Sequence, residues 1–503
     1  TIAYHDGSAN MDVSDGGIGS AIVSGFAGSG EVDGGNNANV FTINSAAGNT
    51  GTNAFDFSGD IYQDGSTSTD LTIIKEGAGE QILSGNVNAS DSNNAAASAY
   101  LDIQEGTVTL KPGSGKTQKF EYLTGASSGT RALTLDNSDE GTQAIELGFA
   151  NTSSTQTFSG AVTLQGSGSA NVLKVVSDTA KNNANYGKEQ VLSGIVSGSE
   201  TLTKSGLGRL MLSGDNTFDG GGTDVIINDG TLVAAHADAL GGASTTVVIN
   251  KGKLEIGDGN NGAVTLHTGT TLQGSSSGKS MVGGDGTITN LTVGDGSSTG
   301  SAATDVNVIS PGRGISSSLS SNTSQQQVSF GSGGAAAKAM GELTVTNLTL
   351  NPGAVFDWEI TDFDGGNGDA GEDWDILNFT NLDFTDQGSS NFSVNVFSVA
   401  ADGTAGAVTS TGNNQVHTGT NGILFMDGAN HAAIDWGSSG DYTLNDSGWQ
   451  HASYFSVDSD PYNYHNGNLN GGWSVWYNGS GDFYLRYSAV PEPSTYVMVL
   501  GML

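Results

Sequence analysis

The sequence has no cysteine, which excludes a disulfide framework and any chemistry that needs a thiol. Proline is also scarce, at 6 residues against 78 glycines, which excludes a collagen-like chain and a proline-rich linker. Glycine at this level, with abundant Ser, Thr, Asn and Asp, suits a chain with many tight turns. Because no disulfide is available, we expect ladder hydrogen bonds and stacked apolar side chains to stabilise the fold.

Basic residues are few, and their shortage limits the partners of the chain. There are 16 Lys and Arg against 52 Asp and Glu, and no basic residue lies between Lys338 and Arg486. The resulting net charge of −36 repels phosphates and anionic lipids. We therefore expect no nucleic-acid partner and no stable binding to a membrane surface.

The sequence is rich in short apolar runs that turn-forming residues separate. In residues 202–242 these runs are Leu210–Leu212, Val225–Ile227 and Leu232–Val233. Each run is too short for a helix, and the Gly, Asn, Asp and Ser between them are typical of strands joined by tight turns. Such a unit cannot bury its apolar side alone, so we predict one coil of an all-β solenoid that stacks on its neighbours.

The same stretch carries a family resemblance. It contains Lys204-x-Gly206-x-Gly208-x-Leu210-x-Leu212-Ser213-Gly214-x-Asn216-Thr217-Phe218, followed by Ile227-Asn228-x-Gly230-Thr231-Leu232 and Ala237-x-Ala239-Leu240-Gly241. This pattern resembles the autotransporter-associated β-strand repeat, which is found in passenger-type β-helix proteins of bacterial surfaces. The resemblance implies a right-handed parallel β-helix. An incomplete copy stands 129 positions earlier, at Lys75, Gly77, Gly79, Leu83, Ser84 and Gly85.

We predict five segments along the chain. Residues 1–311 form the parallel β-helix, 312–339 a Ser-, Gly-, Gln- and Ala-rich insertion or linker, and 340–400 the closing coils. Residues 401–488 form an aromatic-rich capping region, and 489–503 a tail. We expect a β cap because all six Trp residues lie in the last third of the chain, and large aromatic side chains can close the open end of a solenoid.

The predicted insertion interrupts a second resemblance. Ser310-Pro311-Gly312 precedes it and Gly341-x-Leu343-x-Val345 follows it. In related β-helix proteins these two parts lie closer together in the sequence, which indicates that extra residues have been inserted between them here.

The tail contains a sorting motif, Val490-Pro491-Glu492-Pro493-Ser494, followed by an apolar run. This resembles the PEP-CTERM signal of Gram-negative bacteria, which implies export and only transient membrane contact through the tail. In that family a membrane helix and a basic cluster follow, whereas here the run ends after about eight residues and no Lys or Arg follows it. We expect a secreted, cell-surface or extracellular-matrix protein, with a leader removed before Thr1.

The candidate metal ligands lie in one acidic segment. Asp362, Asp364, Asn367, Asp369 and Asp373 offer the hard oxygen atoms that hold Ca²⁺, which is the one cofactor the sequence suggests. The pattern is not that of an EF-hand, and a solvated acidic loop is the alternative interpretation. The seven histidines show no paired metal-ligand spacing. We expect the histidines to face solvent or to stack on side chains of neighbouring coils, and His236 falls in the turn of the repeat, where the resemblance implies no catalytic role.

Two further interpretations concern sugars. Trp473 and Trp476 could stack on a glycan, although the alternation of residues around them is also that of half-buried strands. β-Helix enzymes that cleave polysaccharides need Asp together with Arg or Lys, and the basic residues here are scattered singly. We therefore predict that the protein is not an enzyme, and we keep a polysaccharide-degrading enzyme as an alternative.

The function predicted from these patterns is structural. A solenoid end is a template for a strand of another chain, so we predict end-to-end assembly of a homo-oligomer or polymer into a filament. Both chain ends carry apolar residues that such packing would cover. A monomeric adhesin that binds extracellular polysaccharide is the alternative. The predicted self-assembly residues are Thr1, Ile2, Tyr4, Tyr496, Val497, Val499 and Leu500.

Overall fold

The computed structural model describes residues 11–12, 20–33, 39–62, 71–88, 99–120, 122–138, 144–148, 155–166, 171–176, 189–206, 208–257, 264–275, 280–294, 306–312, 340–360, 374–384, 392–398, 423–435, 450–451, 455–458 and 471–489. These residues are almost entirely β-strands and turns, with a single 3-10 turn at Gly51–Asn53. No described helix is long and apolar enough to cross a membrane. The predicted all-β class is confirmed.

The chain divides into two compact units, Thr1–Val247 and Val248–Leu503. The strands of the first unit are β1 Met11–Asp12, β2 Ser20–Val23, β3 Val32–Asp33, β4 Asn39–Asn44, β5 Phe55–Phe57, β6 Ile61–Tyr62, β7 Leu71–Glu76, β8 Glu80–Leu83, β9 Val87–Asn88, β10 Ala99–Ile103, β11 Gly106–Leu110, β12 Gln118–Phe120, β13 Tyr122–Gly125, β14 Arg131–Asp136, β15 Ala144–Gly148, β16 Gln156–Phe158, β17 Ala161–Gln165, β18 Asn171–Val176, β19 Glu189–Leu192, β20 Val196–Gly198, β21 Leu202–Ser205, β22 Arg209–Leu212, β23 Val225–Ile227 and β24 Thr231–Ala234.

Strand β25, Thr246–Ile249, contains the division between the units. The strands of the second unit are β26 Gly252–Ile256, β27 Thr271–Gly274, β28 Ser280–Gly284, β29 Thr287–Val293, β30 Val308–Pro311, β31 Glu342–Leu350, β32 Val355–Ile360, β33 Ile376–Phe384, β34 Phe392–Ser398, β35 Ile423–Asp435, β36 Gln450–His451, β37 Phe455–Asp458, β38 Gly471–Tyr477 and β39 Phe483–Ala489.

Strands of the first unit pair in parallel with strands that follow at regular intervals. One sheet contains β2-β4-β7-β10-β13, a second β5-β8-β11-β14-β17-β20 and a third β1-β3-β6-β9-β12-β15-β18-β21-β23. A fourth sheet contains β16-β19-β22-β24. Over most of the unit each strand therefore pairs with the third strand after it, an arrangement compatible with a β-helix or solenoid.

Because of the register of neighbouring strands, side chains of the same type stack on one another. In the pairing of β14 with β17, Leu133 lies opposite Val162 and Leu135 opposite Leu164, and all four side chains are buried. The residues between them, such as Thr134 and its partner Thr163, are half-buried. This alternation follows from the two-residue period of a strand, and it places a column of aliphatic side chains on one face of the sheet.

Glycine is required where successive turns lie closest together. A Cβ atom on Gly194 would stand 2.0 Å from the carbonyl oxygen of Gly160, and one on Gly214 would stand 2.3 Å from that of Gly194. Likewise, a Cβ on Gly85 would lie 1.8 Å from the oxygen of Gly59. The Ser-Gly pairs that recur along the sequence thus mark the positions at which one turn rests on the backbone of another.

The second unit begins with parallel pairing and ends with antiparallel pairing. One sheet contains β26-β28-β30-β32-β34-β37, all parallel. The other contains β29-β31-β33-β35 in parallel, followed by β39, β38 and β36, whose pairings are antiparallel. Backbone contact also joins the two ends of the predicted insertion, because a Cβ on Gly341 would lie 2.4 Å from the Cα of Gly312.

Aromatic side chains fill the core of this unit near its antiparallel strands. The ring of Phe455 lies 5.5 Å from Phe392, 5.6 Å from Phe483 and 6.2 Å from Phe384, measured between centroids. The tilted and edge-to-face orientations of these pairs are the favourable ones for aromatic rings.

Candidate functional site

The repeat segment contains a fully buried lysine that acts as a cross-link. Lys204, at 0 % exposure on β21, donates hydrogen bonds to the carbonyl oxygens of Ser205 at 2.9 Å, Gly206 at 2.6 Å and Asp229 at 3.0 Å. Three carbonyls therefore match the three N–H donors of the ammonium group, and they belong to the turns after two neighbouring strands. Burial lowers the pKa of Lys204 to about 7, and the charge of Asp229 opposes this effect.

Lys75 makes the same set of contacts in the incomplete copy of the repeat. Its ammonium donates to the carbonyl oxygens of Glu76 at 2.8 Å, Gly77 at 2.6 Å and Glu105 at 3.1 Å. Burial lowers its pKa to about 8, while Glu105 raises it. The sequence matches at the 129-residue offset thus have a structural counterpart, and the role of both lysines is structural.

A second buried group of charges lies in the second unit. The side chains of Lys253, Asp357, Glu359 and Asp375 are at most 3 % exposed. Lys253 donates to the carbonyl oxygen of Gly312 at 2.8 Å, and the Asp375 carboxylate accepts the backbone N–H groups of Gly341 at 2.9 Å and Glu359 at 3.0 Å. The charge of Lys253 acts on Glu359 and Asp375, and the charge of Asp357 acts on Glu359, so these buried groups influence one another.

The carboxyl group of Glu359 is unusual in this group. Its oxygen atoms accept no hydrogen bond from the described residues, and its side chain meets the carboxyl group of Asp375, to which a protonated Glu359 can donate. Burial, and next the charge of Asp375, raise the pKa of Glu359 well above its usual range. Burial also raises the pKa of Asp375 to about 7. The physical reason is that an ionised carboxylate buried beside another carboxyl group is costly, which favours the protonated form of Glu359.

The two predicted glycan-stacking residues lie on opposite faces of β38. Trp473 and Trp476 are three positions apart, so the alternation of a strand separates them. The Trp473 ring lies 6.1 Å from the buried ring of Trp358. The Trp476 ring carries the guanidinium of Arg486 at 4.4 Å from its centroid, and its Nε1 donates to Ser474 at 2.9 Å. The structure does not bring the two rings together as one platform, and glycan stacking stays a prediction.

Three side chains of types that can bind a metal, which the sequence did not bring together, lie close to one another at the repeat. One ligand atom each of Asp215, His236 and Asp238 lies within 4.8 Å of the others. The pairing of the strands explains why these side chains meet. Arg209 on β22 pairs with Thr231 on β24, which is 22 positions later in the sequence. The same offset places Asp215 between His236 and Asp238.

The remaining predicted site residues lie outside the described residues. They are the carboxylates and amide proposed for calcium, the sorting motif, and the residues proposed for self-assembly: Asp362, Asp364, Asn367, Asp369, Asp373, Val490, Pro491, Glu492, Pro493, Ser494, Thr1, Ile2, Tyr4, Tyr496, Val497, Val499 and Leu500.

Comparison with known protein families matches residues 202–234 to the Passenger-associated-transport-repeat family. The matched segment contains β21, Lys204 and β22 to β24, and it confirms the autotransporter-associated repeat predicted there. The match is consistent with a passenger-type protein that is secreted or held at the cell surface. No curated protein matches the chain.

Proposed function

We propose that this chain is a secreted or cell-surface structural protein of a Gram-negative bacterium, built as a right-handed parallel β-helix whose subunits pack end to end into a filament. The observation that supports the proposal most is the regular parallel pairing of strands in the segment that carries the transport repeat. Stacked coils give a long, stable body without disulfides, which suits an extracellular role for a cysteine-free chain. We propose no enzymatic activity for the chain, and calcium binding at residues 362–373 is a separate hypothesis.

An outermost strand with an exposed apolar side chain supports the filament proposal. Strand β2 is the outermost described strand of its sheet, next to β4. An outermost strand offers backbone N–H and C=O groups to another chain. On β2, Ile22 is 47 % exposed, and among the described residues Ile195 at 50 % is the other exposed large hydrophobic side chain. A neighbouring subunit that pairs with β2 would cover Ile22.

Electron microscopy of the purified full chain tests the proposal. We expect filaments from the natural sequence and from Ile195→Lys, and short particles from Ile22→Lys, because a charge on an edge strand opposes pairing. Deletion of residues 490–503 tests the tail's part in assembly separately. Single particles from the natural sequence would contradict the filament and would favour the alternative, a monomeric adhesin that binds polysaccharide.

A further inference from the structure

The turns after β22 and β24 carry a compact set of metal ligands. Asp215 follows β22, while His236 and Asp238 follow β24, and the two strands are parallel neighbours. The Nδ1 atom of His236 lies 3.6 Å from an Oδ atom of Asp238. The side chains of His236 and Asp238 are 41 % and 30 % exposed, and Asp215 is exposed, so water can complete the coordination of an ion.

The hydrogen bonding of the imidazole shows which nitrogen can bind. The backbone N–H of Asp238 donates to Nδ1 of His236 at 3.1 Å. A nitrogen that accepts a hydrogen bond carries no proton, so the neutral ring is protonated on Nε2 and Nδ1 holds the lone pair. The lone pair is therefore on the nitrogen beside the carboxylate, and a metal ion would take the place of the backbone N–H.

Backbone contacts hold the two turns in place. Asn216, next to Asp215 and 1 % exposed, donates from Nδ2 to the carbonyl oxygen of Ala239 at 2.7 Å. Its Oδ1 accepts the N–H of Val196 at 2.7 Å. Ala239 in turn donates its N–H to the carbonyl oxygen of His236 at 3.1 Å. The ligand positions are thus fixed by buried contacts, which lowers the cost of ordering them around an ion.

We propose that Asp215, His236 and Asp238 form a binding site for a divalent transition-metal ion, with Zn²⁺ as the ion that fits best. One imidazole and two carboxylates are a suitable donor set for Zn²⁺, which takes about four ligands. Calcium prefers about six to eight oxygen ligands and has little affinity for imidazole. The ion would join the turns of two adjacent strands and stabilise the repeat from its outer side.

Isothermal titration calorimetry of the full chain with zinc chloride at neutral pH tests this site. Excess Ca²⁺ in the buffer occupies the many surface carboxylates that bind divalent ions weakly through charge alone. We expect one saturable equivalent of Zn²⁺, which His236→Ala abolishes. The matched control His267→Ala, which changes another half-buried histidine in a turn, should leave that equivalent unchanged.

A second variant and a spectroscopic measurement test the same zinc site independently. Asp215→Asn should weaken Zn²⁺ binding about tenfold or more, and its exposed position makes misfolding a minor concern. Co²⁺ added to the natural chain should give a visible absorption band that is lost in His236→Ala. The proposal is overturned if no saturable equivalent is found, which would mean that His236 only pairs with the aspartates, or if His236→Ala or Asp215→Asn binds Zn²⁺ as tightly as the natural chain.

Discussion

At the scale of single residues, buried polar side chains stabilise this fold by pairing with the backbone of another turn. Gln81 exchanges hydrogen bonds with both the N–H and the C=O of Phe26, at 2.9 and 3.0 Å. Gln190 does the same with Leu123, at 3.0 and 3.1 Å. Each amide side chain thereby takes the place of a strand partner. A buried hydrogen bond of this kind stabilises the fold more than an exposed one does.

Replacement of the repeat lysine tests this role. Lys204→Met would remove the ammonium donor that three part-buried carbonyl oxygens share, and the loss of a hydrogen bond to a buried group costs about 1–3 kcal/mol. We expect the free energy of unfolding to fall by about 3 kcal/mol, measured by urea denaturation with circular dichroism. The matched control Lys119→Met, at an exposed position on β12, should change it little. Equal urea midpoints for the two variants would refute the cross-link.

The buried carboxyl groups predict a pH dependence. The pKa values of Glu359 and Asp375 are higher in the folded state than their ordinary values of 4.5 and 3.8. Above those ordinary values the folded state binds more protons than the unfolded state, so stability falls as the pH rises through about 7. We expect the urea midpoint of the second unit, followed by tryptophan fluorescence, to decrease from about pH 5 to about pH 8.

A matched pair of variants separates this effect from the general repulsion among acidic residues. Glu359→Gln removes the buried acid and should flatten the pH dependence. Asp383→Asn removes one charge from a less buried position on β33 and should keep it. The same slope in both variants would show that surface charge, rather than Glu359, causes the decrease.

At the scale of strands and turns, close stacking of backbones decides which residues are allowed. Gly194→Ala would place a Cβ 2.0 Å from the oxygen of Gly160, a contact that only a backbone shift can relieve. We expect it to lower the thermal midpoint by several degrees, since a loss of about 1 kcal/mol shifts a domain of this size by about 2–4 °C. Gly222→Ala has no atom within 4 Å of its Cβ and should be neutral. Equal midpoints would show that the turns are not this tightly stacked.

The strands and their punctuation could be predicted from the sequence, whereas partners far along the chain could not. Short apolar runs such as Val225–Ile227 became strands, because alternation and turn residues are local signals. The partner of Gln190 lies 67 positions earlier, and no local pattern marks it. The sequence did not mark His236 as a metal ligand, because its neighbour Asp215 comes from the preceding turn. Carboxyl groups such as Glu359 lie within an apolar strand, where their burial depends on packing against other strands.

At the scale of the whole molecule, the absence of cysteine turns from a limitation into an experimental advantage. Any cysteine pair introduced into the chain reports on one contact, with no competing thiol. The net charge of −36 makes chains repel one another, and salt screens this repulsion, so the proposed filament assembly should respond to salt. Parallel pairing between strands about one proposed coil apart is the feature on which both the β-helix and the filament proposals depend.

Disulfide formation between Thr134 and Thr163, both changed to cysteine, tests that feature most directly. The two residues are opposite one another on β14 and β17, where parallel neighbours lie about 4.8 Å apart, within the range of a disulfide. The control pair, Thr134→Cys with Gln165→Cys, is displaced by two residues along β17, to about 8 Å. We predict rapid oxidation of the first pair and little of the second. Slow oxidation of the first pair, or faster oxidation of the second, would contradict the stacked parallel coils.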